Sequence, residues 1–160
     1  MSCQQGLKKE QIYEPNNRVS TTEFFHQDAL CNDESFRFQT IGTIQYNGED
    51  SRFIDFTYER INLSVFKQNV IDDFNKRKVC GFNDWKVSVP QNITGLKCAI
   101  FNYTKETQIP KHGDMKYGIY LVEENRLYYG QPSQILDGST PSKRPTEFRR
   151  SIELLFQSPF

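Results

Sequence analysis

Two His/Asp pairs are the residues of this 160-residue chain whose types and spacing could support acid–base chemistry. His26 precedes Asp28, and His112 precedes Asp114, by two positions each. A carboxylate beside an imidazole can orient that imidazole as a general base. Neither pair is accompanied by a Gly-x-Ser-x-Gly elbow or by a cysteine in an activating context. We therefore interpret both as loop pairs and predict no catalytic residue and no enzymatic activity.

Adjacent carboxylates occur at Asp72-Asp73 and at Glu123-Glu124. A glycosidase needs two acids at a fixed separation inside a cleft, and neighbouring acids along the chain usually face water. Phosphate-binding loops of the Gly-x-x-x-x-Gly-Lys and Gly-x-Gly-x-x-Gly types are absent from the sequence. We predict no cofactor.

The four cysteines are Cys3, Cys31, Cys80 and Cys98. They form no Cys-x-x-Cys pair and lie at no zinc-site spacing from a histidine, so we predict no metal site. An even number of cysteines favours two disulfides, and four buried thiols are the alternative. Disulfides favour an oxidising compartment. We expect a secreted or cell-envelope protein, periplasmic if bacterial, whose export signal is absent from this chain.

The net charge and the length of the chain limit its possible partners and its number of domains. Twenty basic and twenty acidic residues give no net charge, which disfavours nucleic acid as a partner. No apolar run is long enough to span a bilayer. A chain of this length suits one domain, so we predict a single domain over residues 1–160.

The elements that must position these residues are mostly strands. Thirteen Phe, eight Tyr and one Trp are typical of a pleated sheet. Residues 10–25 predict a hairpin that turns at Pro15-Asn16-Asn17, and a second hairpin begins at Phe36 and turns at Asn47-Gly48. The return strand of this second hairpin changes its apolar phase near Glu59-Arg60, which predicts a β-bulge.

The middle of the chain predicts one helix, over residues 67–79, that ends at Cys80-Gly81. Its apolar face comprises Val70, Ile71, Phe74 and Lys78, and an Asp72/Lys76 pair lies on the other face. Alternation at Trp85, Val87 and Val89 then predicts a strand that ends at Pro90.

The remaining segments predict further strands. They lie at 98–104, 117–121, 127–129 and 151–157, with loops at 91–95, 109–114 and 123–125. About eight short strands with one inserted α-helix favour an all-β fold that is a single antiparallel barrel or a strongly curved sheet. A β-sandwich is the competing interpretation.

One set of side chains could line the inside of such a barrel. Inward residues either pack as a solid core or surround a cavity for one small ligand, and the pattern leaves both open. The candidate ligand-binding residues are Phe36, Phe38, Phe56, Tyr58, Trp85, Tyr117, Ile119 and Tyr129.

Several short motifs carry a resemblance to a known family. They are FFHQDALC at 24–31, FRFQTIG at 36–42, DFT at 55–57, CG at 80–81 with Trp85 and Val87, TG at 94–95, RLYYG at 126–130 and KRPT at 143–146. In this order they resemble the lipocalin-like domain of the adenomatosis polyposis coli down-regulated protein family, which includes uncharacterised bacterial relatives. The likeness covers residues 3–148. One departure is that the family opens with a Gly-x-Trp strand before its first cysteine.

The resemblance implies a single antiparallel lipocalin-like (calycin-type) β-barrel with one inserted α-helix. It also implies a secreted or cell-envelope protein with oxidised cysteines that binds a lipid or another small hydrophobic molecule. The family offers no catalytic residues. We predict disulfides between Cys3 and Cys31 and between Cys80 and Cys98, because each bond would join two residues of a segment about as long as a hairpin. Each disulfide would add about 3 kcal/mol to the free energy of unfolding.

We therefore predict a non-enzymatic binding protein for a small hydrophobic ligand or lipid. The alternative is a secreted protein-interaction or inhibitor domain that acts through the polar loop 131–144, since long irregular loops often carry binding functions. The third interpretation is an enzyme that isomerises or attaches a bound chromophore.

Overall fold

The computed structural model describes residues 6–47, 52–101, 103–124, 126–148 and 154–155. The chain divides into two compact units, each built from separate parts of the sequence. Unit 1 comprises Met1–Gly42 and Tyr58–Asp114, and unit 2 comprises Thr43–Thr57 and Met115–Phe160. The single domain over residues 1–160 stays a prediction, and each unit is described by itself.

Unit 1 contains β1 (Leu7–Tyr13), β2 (Arg18–His26), the first part of β3 (Glu34–Tyr46), the second part of β4 (Phe53–Val65) and β5 (Gln91–Asn92). These strands neighbour one another in the order β1-β2-β3-β4, with β5 paired to β4. The predicted first hairpin is confirmed, because β1 and β2 pair antiparallel from Leu7↔Phe25 to Tyr13↔Val19. Asn16 (φ 64°) and Asn17 (φ 59°) lie in its turn in the left-handed conformation, which asparagine adopts more readily than most residues.

Strand β4 shows the predicted change of apolar phase. Ile54 is buried in its first half, and Ile61, Leu63 and Val65 are buried in its second half. The bulge itself stays a prediction. At the start of the second predicted turn, the Asn47 N–H donates to the Phe53 carbonyl at 3.3 Å, and Gly48 lies outside the described residues.

Helix α1 (Gln68–Arg77) confirms the predicted helix and is three residues shorter than expected. Ile71 and Phe74 are buried on its apolar face. Lys78 was wrongly assigned to this face, because it is the C-cap in the left-handed conformation (φ 53°) and is exposed. The short 3-10 turn Val79–Gly81 follows directly.

The polar side of α1 pairs differently from the prediction. Gln68 donates to Asp72 at 2.8 Å, and the Arg77 guanidinium donates to Asp73 at 2.6 and 2.9 Å. Each pair is four residues apart, so each joins successive turns of the helix.

The predicted strand from Trp85 to Val89 is wrong. The side-chain amide of Asn75 forms two hydrogen bonds with the backbone of Trp85. Its oxygen accepts from the Trp85 N–H at 2.7 Å, and its nitrogen donates to the Trp85 carbonyl at 3.2 Å. Val87 makes a single parallel bridge with Val65, and Ser88 has a positive φ of 62°. The alternating apolar pattern misled because only Trp85 is buried, while Val87 and Val89 are 47% and 44% exposed.

A short hairpin completes unit 1. It pairs β6 (Lys97–Cys98) with β7 (Thr107–Gln108), and the Gln108 amide donates to the carbonyls of Gly95 and Leu96. The strand predicted over 98–104 is therefore wrong beyond Cys98, because the described residues after it are irregular. This hairpin packs beside a core that includes Leu63, Ile71, Phe74, Val79, Trp85 and Ile93.

The sheet of unit 2 has the order β3-β4-β8-β9-β10. Its added strands are β8 (Met115–Glu123), β9 (Arg126–Tyr129) and β10 (Leu154–Leu155). β8 pairs antiparallel with β4 and with β9, which confirms the predicted 117–121 and 127–129 strands. The rest of the predicted 151–157 strand lies outside the described residues.

Both units are therefore mostly β, with antiparallel strand pairing and a single α-helix among the described residues. None of the described helices is long and apolar enough to cross a membrane.

Candidate ligand pocket

Unit 1 contains an apolar pocket of about 210 Å³ beside its sheet. Most of its wall is aromatic or aliphatic, and one carboxylate and one hydroxyl are the charged and polar side chains in it. The lining residues are Glu23, Phe25, Phe38, Cys98, Ile100, Phe101, Thr107 and Ile109. We call this the phenylalanine pocket.

Four phenylalanines cluster around the phenylalanine pocket. Phe25 stacks on Phe36 with ring centroids 4.8 Å apart, and Phe101 lies 5.5 Å from each of these two rings. Phe38 lies 5.8–6.0 Å from the other three ring centroids. These separations are typical of favourable aromatic pairs. Phe101 is nevertheless 67% exposed, so one wall of the pocket meets solvent.

Strand periodicity places one side of the phenylalanine pocket. Glu23 and Phe25 are two residues apart on β2 and therefore share a face of the sheet. Phe36 and Phe38 have the same spacing on β3, which neighbours β2. The ring contacts of Phe25 with Phe36 and Phe38 place the two pairs on the same face.

The other side of the phenylalanine pocket comes from the β6–β7 hairpin. Cys98 ends β6, and Ile100 and Phe101 follow it; Thr107 lies in β7, and Ile109 directly follows β7. None of these five residues belongs to the long strands of the sheet, so the position of the hairpin controls the shape of the pocket.

A disulfide fixes the β6–β7 hairpin to the end of the helix. Cys80 and Cys98 are bonded, with their Cα atoms 4.3 Å apart, which confirms the predicted Cys80–Cys98 bridge. Cys98 is 1% exposed and lines the phenylalanine pocket. The partner predicted for Cys31, Cys3, lies outside the described residues, and no described cysteine is free.

Arg77 makes a second link between the helix and this hairpin. Its guanidinium donates to the Ala99 carbonyl at 2.7 Å and lies 4.4 Å from the ring centroid of Tyr103. Because Asp73 neutralises the same guanidinium, Arg77 holds the chain on both sides of Phe101 without leaving an unpaired charge.

Glu23 is the carboxylate of the phenylalanine pocket. It is paired across the β1–β2 hairpin with Lys9, at 3.4 Å, and both side chains are about one-third exposed. Burial raises the pKa of the nearby Tyr58 phenol, and the carboxylates of Glu23 and Asp114 raise that pKa further.

The predicted ligand-binding residues of unit 1 fall in two places. Phe38 lines the phenylalanine pocket, and Phe36 contacts its rings. Tyr58 packs against the core, and Trp85 is buried within it. Trp85 contacts Phe74 and Phe82 edge-on and donates its indole N–H to the Val79 carbonyl at 3.2 Å.

The other predicted residues belong to unit 2. Phe56 and Tyr117 lie on neighbouring strands, where Phe56 pairs with Lys116 and Tyr117 pairs with Asp55. Ile119 is buried, and Tyr129 pairs with Tyr120 between β9 and β8. Their role in ligand binding stays a prediction.

Unit 2 instead contains a buried ion pair. Arg144 donates to the Asp55 carboxylate at 2.6 Å and to the Gly118 carbonyl at 2.6 Å. Its guanidinium lies 4.3 Å from the ring centroid of Phe53. The side chains of Arg144 and Asp55 are only 10% and 9% exposed, so this pair anchors the end of the 131–144 loop.

A backbone hydrogen bond also holds the 131–144 loop near its middle. The Tyr117 N–H donates to the Gly138 carbonyl at 2.8 Å, and Gly138 has a positive φ of 74°. A Cβ atom at this position would lie 2.6 Å from the Tyr117 carbonyl oxygen, so glycine is required here. Ile135, which precedes Gly138 in this loop, is 79% exposed.

The two His/Asp pairs bind backbone groups. His26 Nδ1 lies 3.1 Å from the Gly6 carbonyl, and His112 Nδ1 lies 3.1 Å from the Glu59 carbonyl. Asp114 accepts from the Lys111 N–H at 2.8 Å. The interpretation as a loop pair is confirmed for His112 and Asp114, which both lie in the loop before β8, and is wrong for His26, which is the last residue of β2.

Asp28 caps the loop that precedes β3. Burial works to raise the pKa of its carboxyl, but the backbone N–H groups of Asp33, Asn32 and Leu30 donate to it and hold that pKa below its usual value.

Among the described residues, no group of three or more His, Cys, Asp or Glu side chains is arranged to hold a metal ion.

Sequence reasoning missed Glu23, Phe25, Phe101 and Thr107 as pocket residues. Phe25 carried a signal, because it lies in one apolar phase with Val19 on β2. Phe101 gave none, since its position depends on the disulfide and on Arg77, neither of which a local pattern shows.

Comparison with known proteins adds no family assignment: no protein-family model and no curated protein matches this chain.

Proposed function

We propose that this chain is a non-enzymatic binding protein that holds a small apolar molecule in the phenylalanine pocket. The observation that carries the proposal is the cluster of Phe25, Phe36, Phe38 and Phe101 around an open space of about 210 Å³. An exposed aromatic ring beside an apolar space loses favourable burial until a ligand covers it.

The size of the phenylalanine pocket limits which ligands it can hold. An apolar cavity of about 150 Å³ can hold benzene, whereas sites for drug-sized ligands span about 300–1,000 Å³. A pocket of about 210 Å³ suits one ring with a short substituent. It is too small for a complete lipid, so this proposal is narrower than the lipid ligand that the family resemblance implies.

The proposal includes a fold and a location. A lipocalin-like β-barrel is supported by the antiparallel sheets and by the ordered motifs of the resemblance. An extracytoplasmic location is supported by the Cys80–Cys98 disulfide, since structural disulfides persist mainly in oxidising compartments.

Calorimetric titration of the wild-type protein with 2-phenylethanol tests the proposal. We expect saturable one-to-one binding that weakens about tenfold in Phe101→Ala, because one aromatic wall is lost. Leu30→Ala is the control, since Leu30 is a similarly exposed apolar side chain (78%) of unit 1 but does not line the pocket. Absence of saturable binding, or equal losses in the two variants, would contradict the proposal.

A protein interaction through the 131–144 loop is the second candidate function. It is supported by Ile135, which is 79% exposed on a loop that Gly138 and Arg144 hold in one conformation. Ile135→Asp should abolish a partner contact detected by affinity purification and leave 2-phenylethanol binding unchanged. If every partner of the wild-type protein is retained, this candidate is wrong.

A further inference from the structure

The phenylalanine pocket has an acidic wall. Glu23 lines it next to Phe25, and these two residues share one face of β2. The other described residues that line the pocket are uncharged, so Glu23 sets the sign of the charge that a ligand meets there.

The ion pair of Glu23 does not cancel this charge. Lys9 lies 3.4 Å from Glu23, with side-chain exposures of 32% and 39%. Ion pairs this accessible contribute little to stability and are screened by salt. A ligand cation can therefore take the place of the Lys9 ammonium at small cost.

Aromatic rings favour cations as well. The faces of Phe25, Phe38 and Phe101 carry the negative end of the ring quadrupole, which attracts an ammonium group within about 6 Å. A carboxylate combined with several aromatic rings is the chemistry that recognises organic ammonium ions. The same surroundings disfavour an anionic ligand, such as a fatty acid, because its carboxylate would lie beside Glu23.

We propose that the phenylalanine pocket binds an organic ammonium ion, with its apolar body among the phenylalanine rings and its charged head against Glu23. This inference rests on the proposed function and adds the ligand class. A free amine and the lysine side chain of a peptide carry the same chemistry, and the experiment below distinguishes these two sources.

Three ligands that share a phenyl ring on a short chain test the charge preference: phenethylamine, 2-phenylethanol and 3-phenylpropionate. Calorimetry at neutral pH and low salt should rank the amine tightest, about tenfold tighter than the alcohol, and the carboxylate weakest. Nα-acetyl-lysine amide is titrated in parallel. Tighter binding of this compound than of phenethylamine assigns the site to lysine side chains, and the reverse assigns it to free amines.

Variants of the β1–β2 hairpin make the test specific. In Glu23→Gln the amine should lose its advantage over the alcohol, while binding of the alcohol stays within about twofold of wild type and reports that the pocket is folded. Lys9→Gln should tighten the amine, because Glu23 loses its competing cation. Glu10→Gln, which removes a neighbouring carboxylate that does not line the pocket, is the control.

Equal affinities for the amine and the alcohol in the wild-type protein would overturn the inference and leave the proposed function standing. An amine preference that survives Glu23→Gln would also overturn it. If none of the ligands binds, the proposed function itself is wrong.

Discussion

Arg144 forms a buried ion pair with Asp55 in unit 2. Its guanidinium is nine-tenths buried and satisfies both Asp55 and the Gly118 carbonyl. The KRPT motif at 143–146 marked this region in the sequence. The contact with Asp55 could not be predicted, because the two residues lie 89 positions apart in the chain.

Arg144→Met should lower the free energy of unfolding by about 3–5 kcal/mol, because it leaves the buried Asp55 carboxylate without its cation. Urea denaturation measures this loss. Arg18→Met is the control, since Arg18 is half-exposed in its pairs with Glu14 and Glu59 and should cost no more than about 1 kcal/mol. Similar losses in the two variants would show that the Asp55 pair is not buried in solution.

Tyr58 gives the chain a pH dependence above neutrality. Burial raises the pKa of its phenol in the folded state, and Glu23 and Asp114 add to that effect. An unfolded tyrosine ionises near pH 10, so below that pH both states keep the proton and stability is unaffected. As pH rises above about 10, the unfolded state loses its proton first and the folded state becomes less stable.

We therefore expect the free energy of unfolding to fall more steeply above pH 10 in the wild-type protein than in Tyr58→Phe. Urea denaturation at several pH values between 8 and 11 measures the two slopes. Identical slopes would mean that Tyr58 is as accessible in the folded state as in the unfolded one.

Elements whose geometry is local were the most predictable. The turn at Asn16-Asn17 and the helix with Ile71 and Phe74 on one face follow from turn chemistry and periodicity. The Trp85–Val89 segment was misread because Asn75 holds the backbone of Trp85, and the segment meets β4 through one isolated bridge, between Val87 and Val65. The β6–β7 hairpin was only partly predicted, since its two short strands offer too few residues for a pattern.

The disulfide is the main constraint on the β6–β7 hairpin. Replacing both cysteines, Cys80→Ala with Cys98→Ala, should lower the free energy of unfolding by about 3 kcal/mol, given a sequence separation of 18 residues. The double variant should also weaken ligand binding, because five pocket residues lie in or beside the hairpin.

Urea denaturation and calorimetry under non-reducing conditions measure these two effects. Val89→Ala, at an exposed position outside the bridge, should change stability by no more than about 0.5 kcal/mol. If the double cysteine variant binds 2-phenylethanol as tightly as wild type, the hairpin does not shape the pocket.

At the scale of the whole molecule, composition and pattern predicted a β-rich chain with one helix, and the structure agrees. The ligand site was predictable only in part. Phe36 and Phe38 were named from strand alternation, whereas Glu23 and Phe101 complete the site from β2 and from the residues after β6. Sites assembled from distant segments depend on tertiary contacts, which no local periodicity encodes.

The central claim is that the phenylalanine pocket is a ligand site, and nuclear magnetic resonance of protein labelled at phenylalanine tests it most directly. During titration with phenethylamine, we predict saturable one-to-one shifts of the Phe25, Phe38 and Phe101 resonances. The resonances of Phe53, an exposed ring of unit 2, should stay unchanged. Shifts that never saturate, or that are as large at Phe53 as at Phe101, would contradict the account.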